Sequence, residues 1–315
     1  MKGNKHMKTI TKLIYAAFAV VLFAIGALTA YGAPGDLFAS INGTGENGAG
    51  SINQYKPTGL FRIFASGLSE PRGLAFDRSG NLFVANTTFD GINTYQASIV
   101  QITPDGVQST FAILSGNLFG EGVAFDRAGN LFVAAIDMTD PNAYGPSTIY
   151  KITPSGVQST FGTLPYRGFD LAFDSAGNLF AADAGHPDII SAAIYQFTPN
   201  GTRRIFANQG AIGNFYGPLG LAFDSLGNLF ASIDNQNPMG TDYILKFTPD
   251  RMESTFATGL DWPVGLAFDR SGNLFVANRA VFAPPAAIYK FTPDGNRTVF
   301  ASPVDDPRFL AFQRR

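Results

Sequence analysis

GLAFDRSGNLFVAN occupies residues 73–86, and the same fourteen letters return at residues 265–278. Three relatives lie between them: GVAFDRAGNLFVAA from Gly122, DLAFDSAGNLFAAD from Asp170 and GLAFDSLGNLFASI from Gly220. A second phrase follows each copy, as in QITPDGVQSTFA from Gln101 and KFTPDGNRTVFA from Lys290. The markers Phe76, Phe125, Phe173, Phe223, Phe268 and Phe312 lie 49, 48, 50, 45 and 44 residues apart. That period exceeds the 34 or so residues of a helical hairpin repeat and matches a four-stranded propeller blade.

The two ends of the chain carry the halves of one more unit. Phe309–Phe312 begins a repeat that nothing completes. Residues 35–40 (GDLFAS) continue a repeat that nothing begins, and QYKPTGLFRIFA from Gln54 supplies its second phrase. Joined, they make a sixth unit. A ring closed in this way hides the sheet edges that otherwise invite aggregation. The sequence therefore predicts an all-β, six-bladed β-propeller over residues 34–315, its C-terminal strand paired with N-terminal strands.

Each unit reads as four strands: GLAF, NLFVA, the segment ending in KFTP, and STFA. The first two are apolar throughout, as befits strands buried on both faces between neighbouring blades. The recurring Phe positions are expected in the core. Asp-x-x-Gly-Asn and Thr-Pro-Asp-Gly are turns, with Asp accepting backbone hydrogen bonds and Gly supplying a positive φ. These two turns hardly vary. The other two connections differ in every unit, from NTTFDGINTYQAS (from Asn86) to TGLDWPV (from Thr258). In an up-and-down blade they share one face, where a binding site is expected.

Of the 315 residues, 35 are Gly and 30 are Phe, only 15% are charged, and the net charge is −2. No nucleic-acid partner is indicated. The absence of Cys excludes disulfides, thiolate metal sites and a Cys nucleophile. Lys2, Lys5, Lys8 and Lys12 precede an uncharged apolar run over residues 13–30, with small residues before Ala33. Residues 1–33 are read as a signal peptide and the protein as exported; retained, residues 13–30 would serve as a membrane anchor.

The phrases GLAFDRSGNLFVAN and IYKFTPDG resemble NHL repeats and the wider group of six-bladed propellers that includes gluconolactonase-like and strictosidine-synthase-like proteins. The resemblance spans all six units and speaks to architecture more than to activity. It implies a divalent cation such as Ca2+ at the channel mouth, held by Asn or Asp immediately before the Gly that opens the first strand, with a Glu from another blade. Here those positions hold Arg72, Glu121, Phe169, Leu219, Val264 and Arg308. A cation wants several oxygen ligands, and only Glu121 offers a carboxylate.

The candidate ligand-binding residues at the mouth are Arg72, Asn86, Glu121, Asp170, Asp183, His186, Asn278 and Arg308. With Asp137 and Asp234 they make a mixed-charge rim that suits a sugar or a carboxylate better than a lone metal, and Trp262 is either a packing residue or a stacking platform for a sugar. His186 is also a candidate general base. The function expected is a monomeric, non-catalytic binding or scaffold module for a protein, glycan or small polar ligand. The alternative is a metal-assisted lactone hydrolase or lyase working at the channel mouth.

Overall fold

A computed structural model describes residues 35–43, 49–139, 145–186, 191–208, 217–235, 241–281 and 285–313. The expected leader, residues 1–33, lies outside them. Among the described residues no helix is long and apolar enough to cross a membrane.

The described chain is all strand and turn. Blade one holds β1 (Leu37–Ile41), β2 (Gly50–Tyr55) and β3 (Phe61–Leu68). Blade two is β4 (Glu70–Phe76), β5 (Leu82–Phe89), β6 (Tyr95–Ile102) and β7 (Gln108–Ile113). Blade three is β8 (Leu118–Phe125), β9 (Leu131–Asp137), β10 (Ser147–Ile152) and β11 (Gln158–Leu164). Blade four is β12 (Gly168–Phe173), β13 (Leu179–Asp183), β14 (Ala193–Phe197) and β15 (Arg203–Asn208). Blade five is β16 (Pro218–Phe223), β17 (Leu229–Ile233), β18 (Asp242–Phe247) and β19 (Glu253–Leu260). Blade six is β20 (Pro263–Phe268), β21 (Leu274–Asn278), β22 (Ala287–Phe291) and β23 (Arg297–Ala301). The last strand, β24 (Pro307–Phe312), crosses back to pair antiparallel with β1, so blade one runs β24-β1-β2-β3.

The inner strands β4, β8, β12, β16, β20 and β24 contact one another in sequence, and β24 meets β4 to close the ring. The six-bladed propeller expected from the repeat is the fold observed, including its joint closure by both ends of the chain.

The repeated Phe residues explain why each blade meets the next. Phe83 on β5 packs edge-on against Phe111 of its own outer strand and Phe125 of the next blade's inner strand, with centroids 5.0 Å away in both cases. The same triad recurs at every interface and ends with Phe275, Phe300 and Phe312 across the closing joint. Each edge-on pair contributes about 0.5–1.5 kcal/mol beyond its area. The turns follow the expected chemistry. Asp77 Oδ1 accepts from the N–H groups of Ser79 and Asn81, both at 2.8 Å, and Gly80 has φ of 85°. In blade five the usual turn Gly is replaced by Arg251, which takes φ of 65°.

Candidate functional site

The inner strands carry the feature that builds the site. In every blade the register between the first and second strands slips once, between Pro71 and Leu74 in blade two and at the equivalent places elsewhere. Each slip spans the pre-Gly residue and its successor. A β-bulge of this kind re-aims a side chain out of the regular alternation. Its consequence is a ring: Arg308, Arg72, Glu121, Phe169, Leu219 and Val264, one per blade, all line one cavity of about 290 Å³. The Gly that follows is required by crowding. A Cβ at Gly73 would lie 2.5 Å from the Glu121 carbonyl oxygen, and one at Gly220 2.0 Å from that of Val264.

The ring has two unlike halves. Arg308, Arg72 and Glu121 stand on consecutive strands β24, β4 and β8. Arg72 Nη2 donates to Glu70 Oε2 at 2.8 Å, and its guanidinium lies 5.0 Å from the Phe119 ring centre. Arg308 Nε and Nη2 donate to Asp306 Oδ2 at 3.0 and 2.7 Å. Asp306 is shared with Arg279, whose Nε donates to Oδ1 at 2.5 Å. Both arginines are thus held by an acid two residues earlier in the chain, in Glu70-Pro71-Arg72 and Asp306-Pro307-Arg308. Arg167, over the Phe169 ring at 4.9 Å, adds a third guanidinium to the cavity wall.

Glu121 is buried among these cations. Its Oε2 has no hydrogen-bond partner among the described residues, nor has the buried Arg72 Nε. Burial pushes the Glu121 carboxyl up, against the pull of Arg72, Arg167 and Arg308. Burial, with repulsion from Arg72 and Arg279, draws the Arg308 guanidinium down to about 9, so it stays cationic at neutral pH. Burial also raises the Asp306 carboxyl, but Arg308 and Arg279 outweigh it and hold the group below the usual range.

The other half is apolar. Phe169, Leu219 and Val264 stand on β12, β16 and β20, and Trp262 joins them with Asp234 at the cavity's edge. Trp262 has φ of 54°, a left-handed backbone that is costly for a bulky residue. It is pinned there by three contacts. Its N–H donates to Asp242 Oδ2 at 2.7 Å, its carbonyl accepts from Arg279 N at 3.2 Å, and the Arg279 guanidinium lies 4.6 Å from its ring.

Of the eight residues singled out from sequence, the structure brings Arg72, Glu121 and Arg308 together in the cavity. Asp170 sits deeper, at the bulge of β12, where Oδ1 accepts from Leu171 N at 2.8 Å and Oδ2 from Leu221 N of the next blade at 2.9 Å. It borders a second cavity of about 270 Å³ lined by the inner strands. Burial raises its carboxyl to about 7, the two N–H bonds opposing and Glu121 adding. Asp183 and Asn278 end β13 and β21, Asn86 holds the equivalent place within the longer β5, and all three are buried. Each accepts an N–H from a residue seventeen positions earlier: Ser69 at 3.0 Å, Tyr166 at 3.2 Å and Asp261 at 2.9 Å. They tie the two sets of variable loops together. His186 lies beside Tyr166, ring centres 5.9 Å apart, and is not among the residues lining the cavity.

Reading from sequence missed Arg167, whereas Asp234, expected in the rim, and Trp262, weighed as a stacking platform, both line the cavity. The signal for Arg167 and Trp262 was present. Both stand two residues before the pre-Gly position, where Glu70 and Asp306 also stand.

The residues present do not fit a divalent cation. Among the described residues no group of three or more His, Asp or Glu side chains is placed to hold a metal ion. The one carboxylate of the ring is enclosed by guanidinium groups, which repel a cation.

No protein-family model and no curated protein matches the chain. Solved structures do. A protein of unknown function from Bacteroides caccae is 13% identical with a TM-score of 0.60, the match covering 90% of this chain and all of that one. A catalytically inactive virginiamycin B lyase from Staphylococcus aureus, solved with quinupristin, is 13% identical with a TM-score of 0.56, covering 88% and 92%. A gluconolactonase from Xanthomonas campestris is 15% identical with a TM-score of 0.54, covering 87% and 86%. At these identities the likeness is one of fold.

Proposed function

We propose that the protein is a non-catalytic binding module that captures a small anion at the mouth of its channel. The observation that supports this is the convergence of Arg72, Arg167 and Arg308 on one cavity. Guanidinium groups offer forked donors that match a carboxylate, and the volume of about 290 Å³ suits a small molecule. Glu70 and Asp306 preorganise two of the three cations, so little ordering is left for the ligand to impose. The export expected from residues 1–33 accords with a capture role.

Trp262 is the single Trp of the chain and lines the cavity, so its fluorescence reports occupancy directly. Titration with acetate, gluconate and 3-phenylpropionate should give a saturable change with at least one of them. Arg308→Gln should weaken that response by tenfold or more. No response to any of the three acids would refute the proposal.

One observation favours a second reading. Glu121 is a buried carboxyl with a raised pKa opening on a cavity, and such groups serve as general acids or bases. The neighbouring folds include a lyase and a gluconolactonase. Hydrolysis of glucono-1,5-lactone by the purified protein, abolished in Glu121→Gln, would support that reading. Binding without turnover is the expected result.

A further inference from the structure

We infer that the ligand is an amphiphilic monocarboxylate, with one anionic head and a compact apolar body. This rests on the anion-binding reading above and narrows it. The ring formed by the six bulges is divided, not mixed. Three consecutive blades present Arg308, Arg72 and Glu121, and the next three present Phe169, Leu219 and Val264. At the six ring positions a ligand therefore meets charge on one side and hydrocarbon on the other, with Arg167, over the Phe169 ring, and Asp234 as the charged groups bordering the apolar half.

The head group faces Arg72 and Arg308. The buried Arg72 Nε, which has no hydrogen-bond partner among the described residues, is a donor for one of its oxygens. The Glu121 carboxyl, when protonated, donates to the second. Its Oε2 likewise has no hydrogen-bond partner among the described residues. The body lies against Phe169, Leu219, Val264 and the ring of Trp262, whose strained backbone and Arg279 stack fix it as a platform. Apolar surface removed from water on this side adds affinity in proportion to its area.

The same division excludes other ligands. A polyhydroxylated acid leaves its hydroxyls facing Leu219 and Val264 without partners, which is unfavourable. A dicarboxylate brings its second charge to that apolar wall and to the Asp234 carboxylate.

The test is a four-probe titration followed by Trp262 fluorescence and calorimetry. The probes are 3-phenylpropionate, gluconate, succinate and 3-phenylpropan-1-ol. The first should bind at least tenfold more tightly than each of the others. Leu219→Asn and the near-isosteric Val264→Thr should weaken 3-phenylpropionate at least fivefold and leave gluconate bound at least as tightly as before, in variants whose thermal unfolding matches the parent. If gluconate or succinate binds as tightly as 3-phenylpropionate, or if both variants affect every acid alike, this inference falls and the anion-binding reading stands. If no acid binds, both fall.

Discussion

Glu121 and Asp170 stand on consecutive inner strands, and burial is the main influence on both. A buried carboxyl with a raised pKa binds its proton more tightly folded than unfolded, so stability is lost as pH rises between the two values. For Asp170 the window runs from 3.8 to about 7, and for Asp183 from 3.8 to about 6. The Asp170 shift corresponds to a contribution on the order of 4 kcal/mol. Asp306 is shifted the opposite way and acts only in more acidic solution. The midpoint of thermal unfolding should therefore fall from pH 5 to pH 8. Asp170→Asn should show a smaller fall, so the gap between the two proteins narrows at pH 8. For ligands the sign is the same. An anion enters beside Glu121 more readily when that carboxyl is neutral, so 3-phenylpropionate should bind more tightly at pH 5 than at pH 8, with proton uptake measurable by calorimetry in buffers of different ionisation enthalpy. Glu121→Gln should remove most of that dependence.

At the scale of the element, the strand–turn–strand unit explains what was legible and what was not. Its turn is local chemistry. Asp269 accepts from Ser271 N and Asn273 N, both at 2.9 Å, and from Asn273 Nδ2 at 2.7 Å. Asp269→Ala should cost about 1–2 kcal/mol in chemical denaturation with the fold retained. Such turns could be read from the letters because each depends on residues near in sequence, and the Phe spacing because it recurs in every unit. The bulge could not. It is a slip in pairing between two strands, and no residue type announces it. Pre-Gly positions were visible as a column, but their convergence in one cavity follows from the slip. The places of the buried Asn86, Asp183 and Asn278, outside the cavity lining, were hidden for a related reason. Their polar side chains suggest a ligand, yet their partners are loop N–H groups contributed by the preceding connection. Asp170 occupies a Gly column, and only the structure shows the Leu221 N–H that it accepts.

For the whole molecule the decisive contact is the pairing of β24 with β1, where Ala39 faces Leu310. The chain contains no Cys, so a double variant Ala39→Cys, Leu310→Cys tests the closure without side reactions. Its oxidised form should exceed its own reduced form in stability by up to roughly 5 kcal/mol, since the bridge closes a loop of well over a hundred residues. The measurement is chemical denaturation with and without reductant, and equal stability of the two forms would show that the joint does not limit unfolding. The ring of bulges has a consequence of another kind. Each blade donates one variable letter to the mouth, while the Gly that follows it in four of the six blades and the Phe triads around it are fixed by crowding and packing. The ring of the pocket is therefore written in six separate codons, none adjacent to another, on a frame that the repeat supplies. Selection can respell those six letters one at a time without disturbing the instructions for folding.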